Sequence, residues 1–257
     1  MLELSISVDA ENCDIAKFVY QFFKSKTTEL DLIVTCYEEY GKIFVMIACD
    51  EKFQNDVKTS VEKCVTKVVC DFYKERFLSE NLMLPMCESV DKIALKKALI
   101  NFDKETDVFF VHKNLNITKN IFLDSFFAFR LKVLKDKWGE LVSLANDNKD
   151  FLTSKDAFYD LLHFLIDNLE SVEDEIDVFE REAGYDIHTK KSANEKYLKD
   201  LSQETLIAKL IDFCPQKINF FYKKDDVAVN LLNQIFEKRV NICYGSAGNI
   251  EKFANFK

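Results

Sequence analysis

Leu2-Glu3-Leu4-Ser5-Ile6-Ser7-Val8-Asp9 places an apolar residue at every second position. Leu2, Leu4, Ile6 and Val8 share one side and Glu3, Ser5 and Ser7 the other, the period of a strand with one buried face. Asp9 stands where a helix N-cap belongs, and Ile15, Phe18, Val19, Phe22 and Phe23 recur at helical spacing behind it. Two further apolar runs, 30–37 and 43–49, read as strands joined by the hairpin loop Glu38-Glu39-Tyr40-Gly41-Lys42. Asp50 then caps a long helix carrying Val57, Val61, Cys64, Val65, Val68 and Phe72. The order is β-α-β-β-α, and the reading of the remainder builds on it.

Pro85, inside the irregular stretch 79–89, disfavours helix at the residue before it and marks a boundary. The expected division is an N-terminal α/β unit over 1–84 and a helical and α/β C-terminal domain over 88–257. A short helix is expected over 91–100 and a Val- and Phe-rich strand over 107–112. A long helix over 119–145, with Gly139 inside it, and a helix over 153–169 follow. After an acidic stretch, Gly184 and the alternation Tyr185-Asp186-Ile187-His188 predict a small hairpin. The end reads α-β-α-β: a helix capped by Ser202, a strand at 218–222, a helix at 226–238 and a strand at 240–244. Helical connections of this length make the last two strands parallel neighbours. The fold class is therefore α+β.

Only seven of the 257 residues are Gly or Pro, where average usage would give roughly thirty. Phosphate-cradling loops need glycine so that backbone amides can approach the anion, and no such loop exists here. Net charge is −9, which argues against broad capture of nucleic acid and against docking on anionic lipid. No apolar run reaches the length of a membrane span. The 24 phenylalanines read as core packing. Most of the eight cysteines fall in apolar patterns, none forms a CxxC pair, and the chain opens on a strand rather than a signal peptide. Reduced thiols and a cytoplasmic location are the expectation.

Candidate sites are few. Arg130, four residues from Phe126 and from Leu134, stands beside an apolar stripe, so it is expected to be partly buried and ion-paired, with Asp160 or another carboxylate on the next helix. Asp186 and His188 fall on one side of a strand, and with Glu182 they form a candidate oxygen-rich metal site. Gly245-Ser246-Ala247-Gly248 follows the last strand, and Gly245, Ser246 and Gly248 form a candidate ligand turn. His163, between Leu162 and Phe164, reads as structural. Gly139, inside an element, is expected to mark a close helix contact that a larger side chain would disturb.

The run Phe126-Phe127-Ala128-Phe129-Arg130-Leu131-Lys132, with Ser154-Lys155-Asp156-Ala157-Phe158-Tyr159-Asp160-Leu161-Leu162, resembles the YtxC-like sporulation proteins of spore-forming bacteria. So do Leu206-Ile207-Ala208-Lys209-Leu210-Ile211, Pro215-Gln216-Lys217-Ile218 and the run from Ile235 to Cys243. The likeness covers roughly residues 120–245. It implies a setting, endospore formation, and a soluble cytoplasmic protein, but no catalytic residues.

With no catalytic constellation, the sequence points to a non-enzymatic protein acting through protein contacts. The surfaces expected to make them are the acidic stretch 170–182 and an exposed strand edge. No cofactor and no nucleic-acid partner are expected. The alternatives are a metal-dependent hydrolase built on Glu182, Asp186 and His188, and a small-ligand sensor at Gly245.

Overall fold

The computed structural model describes residues 1–83, 89–147, 154–189, 197–222 and 226–244. In chain order the elements are β1 (Leu2–Asp9), α1 (Cys13–Lys24), α2 (Thr27–Leu30), β2 (Ile33–Glu39), β3 (Lys42–Cys49), α3 (Gln54–Lys67) and α4 (Lys74–Asn81). Next come α5 (Ser89–Asn101), α6 (Lys104–Asn114), β4 (Asn120–Phe122), α7 (Leu123–Ser125), α8 (Lys132–Asp147) and α9 (Lys155–Asp167). The chain ends through β5 (Glu175–Glu180), β6 (Tyr185–Thr189), β7 (Tyr197–Leu201), α10 (Gln203–Phe213), β8 (Lys217–Tyr222), α11 (Asp226–Phe236) and β9 (Val240–Tyr244). The fold is α+β, opening with the β-α-β-β-α order and closing with parallel β8 and β9. Among the described residues no helix is long and apolar enough to cross a membrane.

Two compact units form, and both are discontinuous: Met1–Leu82 with Asp103–Leu144, and Met83–Phe102 with Ala145–Lys257. The expected single cut assigned everything from residue 88 to the second domain. Asp103–Leu144 instead belongs to the first unit, because β4 completes its sheet. Residues 84–88, including Pro85 and Cys87, lie outside the described residues.

The first unit holds a four-stranded sheet of order β2-β3-β1-β4. β2-β3-β1 is antiparallel, while β4 runs parallel to β1 with Ser5, Ile6 and Ser7 opposite Asn120, Ile121 and Phe122. Leu4, Ile6, Val45 and Ile47 pack with Ile15, Val19 and Phe23 of α1, Val57, Val61 and Val65 of α3, and Leu134 and Trp138 of α8. The β2–β3 connection tightens to Tyr40-Gly41, both at positive φ (50° and 70°), as a two-residue type I′ hairpin requires. Asp50 caps not α3 itself but the 3-10 turn Glu51–Phe53 that leads into it, accepting from Lys52 N. Asp9 does not cap; its carboxylate takes the Lys42 ammonium instead.

Two expected elements differ. The run 107–112 is helical, within α6. Its buried positions, Asp107 and Val111, are four apart, and Phe109 faces solvent. Helical spacing of the inward residues prevails over the β-propensity of Val and Phe. The expected helix 119–145 is interrupted. After β4 and the single turn α7, Phe126–Arg130 is π-helical, and Leu131 leaves helical geometry at φ −108° and ψ 28° before α8 begins. In the wider turn Phe126 and Leu131, five apart, both face the core.

Gly139 lies in α8 with nothing within 4 Å of where a Cβ would stand. The expected close contact is absent there. Gly139→Ala is therefore expected to raise stability by about 0.5–1 kcal/mol, through helix propensity alone. Thermal melting of the variant checks this, and a lowered melting temperature would contradict it.

The second unit holds a five-stranded sheet of order β7-β6-β5-β8-β9. β5-β6-β7 is an antiparallel meander, and β8 and β9 continue parallel to β5. Ile176, Val178, Ile187, Ile218 and Phe220 are buried, as are Leu206, Ile207, Leu210 and Ile211 of α10 and Ala94, Leu95 and Ala98 of α5. Ser202 caps α10 as expected, accepting from Thr205 N at 3.3 Å.

Candidate functional site

β2 is an edge strand and is exposed along its length except at Val34, which is half-buried. Ile33, Thr35 and Tyr37 point to one face and Val34 and Cys36 to the other, by strand alternation. Ile33 is 71% exposed and Tyr37 is 44% exposed. Tyr37 stacks on Phe44 of β3 at 5.1 Å between centroids and 10° between planes, which holds its ring flat on the sheet. From residue 31 to 39 the chain has no Lys, Arg or Pro, the residues that usually blunt an edge. Carboxylates flank the apolar centre. Asp31, Asp50 and Met1, whose terminal ammonium pairs with Glu51 at 3.0 Å, border a depression of about 330 Å³ at the start of the strand, and Glu38 and Glu39 stand at its end. Among the described residues the edge is thus open backbone, apolar in the middle and with carboxylates at both ends.

The acidic stretch 170–182 is not the contact surface the sequence suggests. Its centre is β5, the middle strand of the second sheet, with Ile176, Asp177, Val178 and Phe179 buried. The signal was present: Glu175 and Asp177 alternate with apolar residues at period two. Asp177 belongs to a polar row that crosses the sheet in register, Tyr197–His188–Asp177–Asn219–Asn241. Asn219 Nδ2 donates to Glu175 Oε1 at 2.6 Å and to Asp177 Oδ1 at 2.8 Å, and its oxygen accepts from Asn241 Nδ2 at 3.1 Å. Lys217 Nζ lies 3.1 Å from Glu175. Internal donors satisfy charges that are costly to bury alone.

The candidate metal trio does not assemble. Glu182 is exposed in the β5–β6 turn. Asp186 is buried and occupied, accepting from Arg181 Nε at 2.7 Å and from Asp200 N at 3.1 Å. His188 stands across from Asp177 on one side and Tyr197 on the other. Among the described residues no group of three His, Cys, Asp or Glu side chains is placed to hold a metal ion. Gly245, Ser246 and Gly248 lie outside the described residues.

Arg130 is exposed and ion-pairs with nothing among the described residues. Asp160 is exposed on α9, in the other unit. The expected buried pair fails because the π-helical turn carries Arg130 off the apolar stripe that a straight helix would have placed it beside. His163 joins α9 to the end of α11: Nε2 lies 2.7 Å from the Gln234 carbonyl and Nδ1 3.2 Å from Glu237 Oε1. His112 is exposed on α6.

The buried ion pair is elsewhere. Lys74 Nζ donates to Asp107 Oδ2 at 2.6 Å, and Trp138 Nε1 donates to Asp107 Oδ1 at 3.0 Å, with Lys74 only 1% exposed. Burial pushes the Asp107 carboxyl above its ordinary value, and Lys74 and the indole pull it back only in part. Nothing in the local sequence announces this triad; its members come from three separate helices. The seven described cysteines are free thiols. Burial pushes Cys70 up to about 12, far from a nucleophile's range.

Comparison of the chain with family models, with curated proteins and with solved structures finds no match.

Proposed function

We propose that this chain is a non-enzymatic protein that acts through protein contacts, and that its contact element is the open edge of β2. The observation carrying the reading is an edge strand with exposed Ile33 and Tyr37 and no Lys, Arg or Pro to block pairing. Addition of a strand to such an edge supplies main-chain hydrogen bonds for affinity and alternate side-chain contacts for selection. The partner is an extended segment that alternates apolar residues and carries Lys or Arg at both ends, complementary to Asp31 and Asp50 at one end of β2 and Glu38 and Glu39 at the other. A second copy of this acidic chain is disfavoured by the same charges. The resemblance to YtxC-like proteins supports endospore formation as the setting and the cytoplasm as the location.

Synthetic peptides that alternate Val and Thr between terminal lysines should bind the intact protein in a fluorescence-anisotropy titration. Replacing both Ile33→Lys and Tyr37→Lys is expected to weaken binding by about tenfold or more, through lost apolar contact and like-charge repulsion. Both side chains are exposed, so the fold should survive. Equal binding by glutamate-ended peptides, or an unchanged affinity in the double variant, would refute the assignment. Self-association abolished by the same variant would replace the partner with a second copy. For the setting, deletion of the gene should lower heat-resistant spore counts without slowing growth.

A further inference from the structure

Beside β4, at the opposite edge of the first sheet from β2, lies a cleft of about 310 Å³ between the loop after α6 and the π-helical turn. We propose that this cleft binds a nucleoside monophosphate, with the phosphate on Arg130 and the base against Phe129 and Phe122.

Three observations converge. The first is charge. Among the described residues no carboxylate lines the cleft, and Arg130 does. Residues 113–132 carry Lys113, Lys119, Arg130 and Lys132 against one carboxylate, Asp124, in a chain of net charge −9; Lys119 is taken by Glu3 at 3.6 Å, and Arg130 is the cation that lines the cleft. Asp124 is spent internally, accepting from Asn12 Nδ2, Tyr73 Oη and Asp9 N at 2.6–2.7 Å. A guanidinium without a carboxylate partner is an anion site in waiting, and its planar fork matches phosphate oxygens.

The second is exposed aromatic area. Phe129 is 81% exposed and Phe122 is 43% exposed, and both line the cleft. Water-facing rings beside a cation suit a ligand with a flat ring joined to its anionic group, since base–aromatic stacking is tolerant of base identity. The third is hydrogen-bonding capacity. Asn114 donates its Nδ2 to Phe110 O and Asn120 accepts Ser5 Oγ on its Oδ1, which leaves the Asn114 Oδ1 acceptor and the Asn120 Nδ2 donor without a hydrogen bond among the described residues. Asn116 makes no hydrogen bond among the described residues and offers both. A heteroaromatic base, with donors and acceptors on one edge, can use all of them. The π-helical turn that presents Phe129 and Arg130 is of a kind that often occurs at functional sites.

Isothermal titration of the full chain with guanosine monophosphate, adenosine monophosphate and inorganic phosphate tests the assignment. The nucleotides are expected to bind saturably and phosphate alone more weakly. Arg130→Gln should weaken nucleotide binding by about tenfold or more, and Phe129→Ala should weaken the nucleotides but leave phosphate unchanged. Both positions are exposed, and unchanged thermal melts would show that the variants fold. No saturable heat at millimolar nucleotide, or equal binding by Arg130→Gln, overturns the proposal. A short oligonucleotide that binds more tightly than either monomer also overturns it, in favour of a strand-binding surface.

Discussion

Asp107→Ala is expected to destabilise the first unit by about 3–5 kcal/mol, the usual loss when one partner of a buried ion pair is removed. The variant leaves the Lys74 ammonium buried without its carboxylate and the Trp138 indole N–H without its acceptor. Trp138 is the single tryptophan, so its fluorescence during urea unfolding follows this unit directly. The pair itself contributes little beyond what apolar packing would. Lys74→Met combined with Asp107→Leu should therefore recover part of the loss, held short by the indole N–H at a cost of about 1–3 kcal/mol. A single variant with an unchanged urea midpoint would refute the account. The pair also sets a pH dependence. The folded Asp107 carboxyl titrates above its unfolded value of 3.8. Its contribution is complete below that value and is lost as pH rises through the folded value. Asp107→Asn cannot titrate, so the stability difference, wild type minus variant, should fall as pH rises above the unfolded value of 3.8.

Gly184→Ala is the second large effect. Gly184 has φ +154°, and a Cβ there would stand 2.5 Å from Leu201 O and 3.3 Å from Leu201 C. These are backbone atoms of β7, which cannot swing aside as a side-chain tip would. The conformation alone costs a non-glycine residue about 1–3 kcal/mol, and the clash must separate β6 from β7 in addition. The clamp of Asp186 on Arg181 and Asp200 N lies directly beside it. The expected result is a loss of roughly 3 kcal/mol or more in the second unit, with faster hydrogen exchange at the β6 and β7 amides. An unchanged denaturation midpoint would sink this prediction. The contrast with Gly139→Ala is informative, because there the same substitution meets open space.

Local order was legible where one period dominates. β1, α1 and the β2–β3 hairpin follow from alternation and spacing, as do α10, β8, α11 and β9. The failures share a cause. β4 has three residues, too few to display a period, and is fixed by pairing with β1. The 107–112 run has strand-like residues, but its conformation is set by Lys74 and Trp138, more than thirty residues away on either side. The π-helical turn adds one residue to a helical repeat, and that shift turned Arg130 from an expected buried partner into an exposed cation. Asp177 falls in the acidic stretch expected to be a contact surface, and its satisfying donor, Asn219, lies 42 residues on.

The parallel pairing of β1 with β4 has a consequence for synthesis. Ser5 bonds to Asn120 across 115 residues, so one edge of the first strand stays open until β4 leaves the ribosome. At synthesis rates of about 5–20 residues per second, that interval is roughly 6–23 s. Meanwhile the nascent hairpin β2–β3 and strand β1 form a sheet with two bare edges, β2 and β1. The first unit therefore completes late, after the α5 segment of the second unit has already been made. A chain stalled before Phe122 should expose the β1 edge to chaperones or to other nascent chains, whereas in the finished first sheet β4 covers β1 and the borders are β4 and β2.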